Sequence, residues 1–308
     1  MSAIDLSVVV PLYDEQDNVE PLHEAVTVHI ESLGRTYELL LVDDGSRDAT
    51  FERAAEIAAR DPHVRVIKLR RNYGQTAALA AGLCQARGRI IVTMDGDLQN
   101  DPADVPRLLA LIDNGYDLVI GWRRHRHDKP LRVLASVLAN RLIAPVMGVS
   151  VHDSGCSLKA FRPELMAGLP LYGEMHRFIP TLSRIVGARI TEVEVAHHPR
   201  TRGISKYGFG RIPGVLLDII TIRLLLGYMA RPRLWTGWLV GAAFAMTAAL
   251  ALAAPLVDLP LIASAIWALW VSLALFLAAW SMVAYQLVVL DPRGGRFAAL
   301  IATARKVS

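Results

Sequence analysis

Asp95, Asp97 and Gln99 alternate within the stretch RIIVTMDGDLQNDP (89–102), where an apolar run ends. Spaced two apart, their side chains share one side of an extended segment. Carboxylates this close repel, so each must be solvated, hydrogen-bonded or paired with a cation. A ribose or base edge can donate hydrogen bonds to such carboxylates, and a divalent metal needs hard oxygen ligands.

Two other apolar runs also end in acids: LSVVVPL leads into Tyr13, Asp14 and Glu15, and YELLLVD into Asp43, Asp44, Gly45 and Ser46. The runs at 6–12, 37–43, 64–69, 89–95 and 117–121 read as strands. The spans 18–33, 49–60, 75–86 and 103–114 between them have helical spacing. Near-continuous apolar strands alternating with helices predict an α/β fold, a mostly parallel Rossmann-like sheet with helices on both faces. Ligands of such sheets bind beyond the carboxyl ends of the strands, where all three acidic clusters then converge. The plainer alternative is that each Asp caps the next helix, as Asp48 or Asp104 would. DGDLQND does not continue as a calcium loop, because Asn100 and Pro106 stand where Gly and Glu are required. No G-x-G-x-x-G follows the first strand, and no P-loop occurs.

Of the 308 residues 53% are hydrophobic, and the excess is concentrated near the C-terminus. Residues 234–257 and 261–290 carry no charge, and each exceeds the roughly 20 residues that span a bilayer core. Only Asp258, Leu259 and Pro260 part them, so a transmembrane hairpin is expected over about 234–257 and 261–287. Trp235, Trp238, Trp280 and Tyr285 stand near the run ends, as interfacial anchors do. Arg223, Arg231 and Arg233 precede the hairpin, and Arg293, Arg296, Arg305 and Lys306 follow it. The turn has neither Lys nor Arg, which predicts both termini on the cytoplasmic side of the inner membrane. LSVVVPL is too short for a signal peptide. Cys84 and Cys156 fit a reducing compartment. The net charge of +4, its basic residues beside the apolar runs, suits anionic headgroups or phosphates and not nucleic acid.

PLYDE (11–15), VDDGSRDAT (42–50), RNYGQTAAL (71–79) and MDGDLQNDP (94–102) resemble the signature series of family-two glycosyltransferases with the GT-A fold. DSGCSLKAF (153–161), GEMHRFIP (173–180) and RTRGISKY (200–207) are similar to the branch acting on polyprenyl phosphates, which includes dolichol-phosphate mannose synthase. The resemblance implies a cytoplasmic catalytic domain over 1–207 and a juxtamembrane interfacial helix over 208–230. The hairpin would follow over 231–290 and a tail over 291–308. Residues 130–149 would form a further interfacial helix, with a core helix as the alternative for it and for 208–229.

The implied reaction is inverting transfer of one sugar from a nucleotide donor, UDP favoured over GDP, to a membrane polyprenyl phosphate. Departure of the diphosphate develops negative charge that Mg²⁺ or Mn²⁺ can neutralise. Mg²⁺ takes one or two carboxylates and fills its shell with phosphate and water, which suits Asp97, Gln99 and Asp95. The resemblance places the donor against Pro11, Tyr13, Glu15, Asp43, Asp44, Asn72, Gln75, Asp95, Gly96 and Asp97. A lipid phosphate is already largely a dianion at neutral pH, so a strong base is not required. Asp153 resembles the family's proposed base; alternatively it orients a neighbouring Arg or the sugar hydroxyls. Arg123, Arg200, Arg202, Ser205 and Lys206 would hold lipid phosphate or diphosphate. The family includes tetramers, so a homo-oligomer is a further expectation. A processive polysaccharide synthase would carry Gln-x-x-Arg-Trp, but Ala230 stands three residues before Arg233. A silent scaffold of the same fold is the remaining alternative. His176, His197 and His198 read as packing or hydrogen-bonding residues, and Cys156 as a small filler.

Overall fold

The computed structural model describes residues 4–124, 151–166, 171, 173–185 and 187–199, scattered helical positions between 238 and 283, and a strand at 301–303. Strands β1 (Leu6–Leu12), β2 (Tyr37–Asp43), β3 (Val64–Leu69), β4 (Ile90–Thr93) and β5 (Leu118–Trp122) form where Val, Ile and Leu run almost unbroken. Helices α1 (Val19–Glu31), α2 (Thr50–Arg60), α3 (Gln75–Gln85) and α4 (Val105–Asp113) alternate with them, within a few residues of the spans expected. Each helix turns one stripe inward; on α1 it is Val19, Leu22, Val26 and Ile30, at the three- and four-residue spacing of a helical face. Every residue of β2 is buried, as a central strand covered on both faces requires.

The sheet has the order β7-β5-β6-β4-β1-β2-β3-β8. β1 pairs in parallel with β2 and β4, and β2 with β3. β6 (Lys159–Phe161) inserts antiparallel between β4 and β5, while β7 (Ile190–Glu194) runs parallel to β5. β8 (Ile301–Thr303) lies antiparallel on β3, in the stretch expected to be a tail. The result is a GT-A-like α/β fold with a mixed, mostly parallel sheet. β6, β7, β8 and α5 (Ile179–Ile185) were not expected from sequence. β6 matters most for the site, because it carries residues 153–158 to the ends of β4 and β5.

Capping explains only part of the acidic pattern. Asp48 lies one residue before the Ala49 N-cap of α2 and accepts from the Thr50 backbone N–H at 3.0 Å. Asp104 does not cap α4; its carboxylate accepts from Ala196 N at 2.7 Å and pairs with Arg107 at 3.0 Å. Asp101 caps the turn before α4 instead, accepting from Ala103 N at 2.9 Å.

By contact the chain divides into two compact units, Met1–Asp218 with Gly294–Ser308, and Ile219–Arg293. Among the described residues no helix is long and apolar enough to cross a membrane. The described positions of the second unit are helical, and Trp238, Trp267, Leu269, Trp270, Phe276 and Trp280 are all exposed. Most of the expected hairpin, and the expected helices at 130–149 and 208–230, lie outside the described residues.

Candidate active site

The loops after β1 and β2 are stitched together. Asp14 N donates to Ser46 Oγ at 2.9 Å, Arg47 N to Asp14 Oδ1 at 2.7 Å, and Glu15 N to Thr50 Oγ1 at 2.8 Å. Asp14 takes a left-handed backbone, φ 48°, which its short polar side chain tolerates. Glu15 is buried and accepts from Asn18 Nδ2 at 2.5 Å. Pro11 and Tyr13 flank this loop at the end of β1.

Asp43 and Asp44 divide the work. Asp43 is wholly buried: Oδ1 accepts from Ser46 N at 3.1 Å, and among the described residues Oδ2 meets no donor. Burial raises its carboxyl above the usual range. Leaving a buried acceptor without a donor is costly, so a ligand group that donates to Oδ2 would be favoured. Asp44 is instead a latch, accepting from Tyr73 N and Gly74 N, both at 2.8 Å. It thereby fixes the loop holding Asn72 and the start of α3, where Gln75 Nε2 donates to Asp95 Oδ1 at 2.6 Å. The tie from β2 to the carboxylates after β4 is continuous.

Burial pushes Asp44 up to about 6 despite these two donors. Below that pH one latch oxygen becomes a hydroxyl facing an N–H, so donor affinity should fall by about tenfold. Stability should move the other way. A folded-state pKa above the ordinary 3.8 makes Asp44 stabilising when protonated, a contribution lost as pH rises through about 6. Calorimetric nucleotide titration and thermal unfolding between pH 5 and 7, repeated on Asp44→Asn, check both signs; the variant should show neither dependence from this group.

After β4 the chain turns tightly. Asn100 Oδ1 accepts from Asp95 N at 3.1 Å and from Ser157 Oγ at 2.7 Å, and Leu98 sits at φ 61°. A left-handed Leu costs on the order of 1 kcal/mol and persists only where its surroundings enforce it. Gly96 lies so close to β1 that a Cβ there would stand 2.3 Å from Leu12 Cδ2. Asp97 is buried, and its Oδ1 accepts from Gln99 N at 3.2 Å. Gln99 Nε2 donates to His198 O at 3.4 Å, so its amide oxygen is the atom that could face a cation. His198 returns a backbone bond to Gln99 O at 3.0 Å and a ring contact to Asp101 at 3.0 Å, so hydrogen bonding is indeed its part.

Burial, then the charge of Asp97, raises the pKa of Asp95; Ser157, Arg123 and Lys159 offset this in part. Two carboxylates, one driven toward protonation by the other, fit a divalent cation. Among the described residues no group of three His, Cys, Asp or Glu is arranged to hold a metal. An ion here would therefore complete its shell from phosphate, water and the Gln99 amide.

The opposite wall comes from β5 and β6. Arg123 Nε and Nη2 donate to Asp153 Oδ2 and Oδ1 at 2.7 and 3.0 Å. Lys159, 2% exposed, donates to Cys156 O, and burial pulls its ammonium down to about 8. A small pocket beneath Asp95 is lined by Pro11, Gln75, Ser157, Lys159 and His176. His176 Nδ1 lies 2.6 Å from Thr76 Oγ1, whose proton goes to Gly173 O at 2.5 Å. Thr76 having only one proton, His176 Nδ1 must be the donor of that pair. His176 thus has the hydrogen-bonding part expected of it, whereas Lys159 was missed in sequence; the available signal for Lys159 was a lone cation between Leu158 and Phe161 in an apolar run. Cys156 is buried and its thiol is pushed up to about 11, which suits filler and not nucleophile. Arg200, Arg202, Ser205 and Lys206 lie outside the described residues.

These loops lie within residues 7–165, which match the family model for glycosyl transferase family 2. The chain belongs to that family. Its relatives include the dodecaprenyl-phosphate galacturonate synthase of Rhizobium johnstonii, 45% identical over 237 residues, covering 75% of this chain and 70% of the relative. Among solved structures it is similar to glucosyl-3-phosphoglycerate synthase from Mycobacterium tuberculosis in complex with Mn²⁺, UDP and glucosyl-3-phosphoglycerate. That match is 25% identical, covers 72% of this chain and 80% of that one, and has a TM-score of 0.55. The same enzyme with Mn²⁺ and UDP-glucose matches with a TM-score of 0.55 at 25% identity, covering 72% and 79%. As a family 2 member the chain is a glycosyltransferase, and Asp43, Asp44, Asp95 and Asp97 lie at the carboxyl ends of β2 and β4.

Proposed function

We propose that this glycosyltransferase moves a single sugar, in inverting fashion, from a UDP-sugar to a polyprenyl phosphate at the cytoplasmic face of the inner membrane. The observation that carries the reading is one rim bearing both a buried acceptor that meets no donor among the described residues, Asp43 Oδ2, and the paired carboxylates Asp95 and Asp97. A nucleoside would supply a donor to the first, and a divalent cation would neutralise the second. The galacturonate relative supports a polyprenyl-phosphate acceptor and favours a hexuronic acid as the sugar. Mn²⁺ with UDP in the mycobacterial structures supports the cation and the nucleotide.

Asp95, Asp97 and Gln99 would hold the ion, which when bound supplies Lewis-acid stabilisation of the departing diphosphate. Asp44 and Gln75 keep those carboxylates in place against the nucleotide loop. Arg123, and beyond Pro199 the Arg200, Arg202, Ser205 and Lys206 segment, draw two anionic reactants together. The acceptor dianion attacks the anomeric carbon in line with the leaving diphosphate, without needing a proton removed. The charge-free runs near 234–257 and 261–287, with their exposed described aromatics, support a two-helix membrane anchor.

Purified protein in detergent, given radiolabelled UDP-sugars and undecaprenyl phosphate, should move label into the organic phase. UDP-galacturonate should be the best donor. EDTA should abolish transfer, and Mn²⁺ or Mg²⁺ should restore it. Label confined to soluble polymer, or turnover indifferent to EDTA, would overturn the reading.

A further inference from the structure

We infer that Asp153 is a positioning residue acting through Arg123, and not the base of the transfer reaction. The inference rests on the reading above, in which the acceptor is a phosphate. Asp153 is 1% exposed. Both of its oxygens accept from the Arg123 guanidinium, at 2.7 and 3.0 Å, and Oδ2 also lies 3.3 Å from Arg123 N. This fork-to-fork arrangement is the strong, geometrically specific form of the Arg–carboxylate bond. Its backbone is tied as well, since Asp153 N donates to Glu192 Oε1 at 3.1 Å on β7.

A general base must come within hydrogen-bond reach of the proton it takes. A buried carboxylate whose two oxygens are both held by a guanidinium is poorly placed for that, and a phosphate dianion offers no proton to take. Arg123 has the more useful position. It leaves the end of β5 with 16% of its side chain exposed, and its guanidinium lies above Gly155, where a Cβ would stand 3.7 Å from Nη2. It is close enough to Asp95 that each perturbs the other's ionisation. Burial disfavours its charge, but the Asp153 bond outweighs this and raises its pKa above the ordinary value. Asp153 therefore does two things for Arg123: it keeps the guanidinium charged in a buried place, and it removes the rotamer freedom of a long side chain. What Arg123 then meets is a phosphate oxyanion, from either the donor diphosphate or the lipid acceptor.

The test is a double-mutant cycle on the full chain in detergent, with Arg123→Ala, Asp153→Asn and the double variant, assayed with a UDP-sugar and undecaprenyl phosphate. Wild-type transfer is the control for the underlying reading, so its absence would count against that reading and not against this inference. Each single variant should lose about 100-fold in kcat/KM, the cost of a misplaced charged group, and the double variant no more than Arg123→Ala alone. Added guanidinium should restore Arg123→Ala by about tenfold where Asp153 is present to bind it, and not in the double variant. A rise in KM for the lipid assigns the oxyanion to the acceptor, a rise in KM for the donor to the diphosphate, and either supports the inference. A further, multiplicative loss of kcat on adding Asp153→Asn to Arg123→Ala, or guanidinium rescue that is indifferent to Asp153, would overturn it. Should Arg123→Ala not fold, Arg123→Lys with and without Asp153→Asn gives the same cycle.

Discussion

Asp97→Asn should lower sugar transfer by about 10³-fold while leaving the protein at least as stable as before. The first half follows from what an ion at a departing diphosphate contributes, several kcal/mol of charge stabilisation in the transition state, which equals roughly three decades in rate. The second half separates a ligand from a structural residue. Asp97 is buried, and after burial its charge is what raises the pKa of Asp95. Removing it relieves a repulsion, and an amide oxygen can still accept from Gln99 N, now at 3.2 Å. In EDTA the melting temperature of the variant should match or exceed that of the unaltered protein. Adding Mn²⁺ with UDP should then raise Tm in the unaltered protein and not in the variant, because only a state that binds ligand gains stability from it. Full activity in the variant, or a collapsed Tm in EDTA, would remove the ion from Asp97.

Much of this site was legible in the sequence because parallel α/β sheets make it so. Four βα units announce themselves through unbroken runs such as ELLLV and through helical stripes such as Val19, Leu22, Val26 and Ile30. Once strands are read, the acids at their carboxyl ends fall on one rim without further information. Roles within the rim were less legible. Asp43 and Asp44 are adjacent and chemically identical, yet one buries an oxygen that meets no donor among the described residues and the other latches Tyr73 and Gly74. Alternation along a strand decides which faces which way, and it depends on where the strand ends to within one residue. β6 was invisible for a different reason. Three residues are too few to show a period, and Lys159 inside it breaks the apolar pattern that marks a strand. Arg123 and Asp153 were each singled out, but their mutual grip needed β6 to turn the chain back between β4 and β5.

Two glycines of nearly equal backbone angle separate strain from crowding, and their comparison tests how rigidly the acidic rim is built. Gly45 has φ 68° and Gly34 has φ 62°. Alanine at either pays for a left-handed backbone, roughly 1–2 kcal/mol. At Gly34 nothing lies within 4 Å of the added Cβ, so the cost should end there. At Gly45 the Cβ would stand 2.4 Å from Arg71 C, 2.6 Å from Arg71 Cα and 2.7 Å from Asn72 N. All three are backbone atoms, and no side chain can swing aside. Either the 71–74 loop withdraws or β2 shifts, and overpacking of this kind adds about 1–3 kcal/mol. The loop is the one Asp44 latches at Tyr73 and Gly74, and it leads into Gln75, which holds Asp95. Gly45→Ala should therefore cost about 2–5 kcal/mol in urea unfolding and weaken UDP·Mn²⁺ binding by about 100-fold, since a small misplacement of the loop reaches both Asp44 and the carboxylate pair. Gly34→Ala should leave that affinity unchanged. Equal unfolding costs at the two sites, or donor affinity untouched by Gly45→Ala, would mean that the rim yields to a methyl group, and that the contacts running from β2 to Asp95 do not transmit displacement.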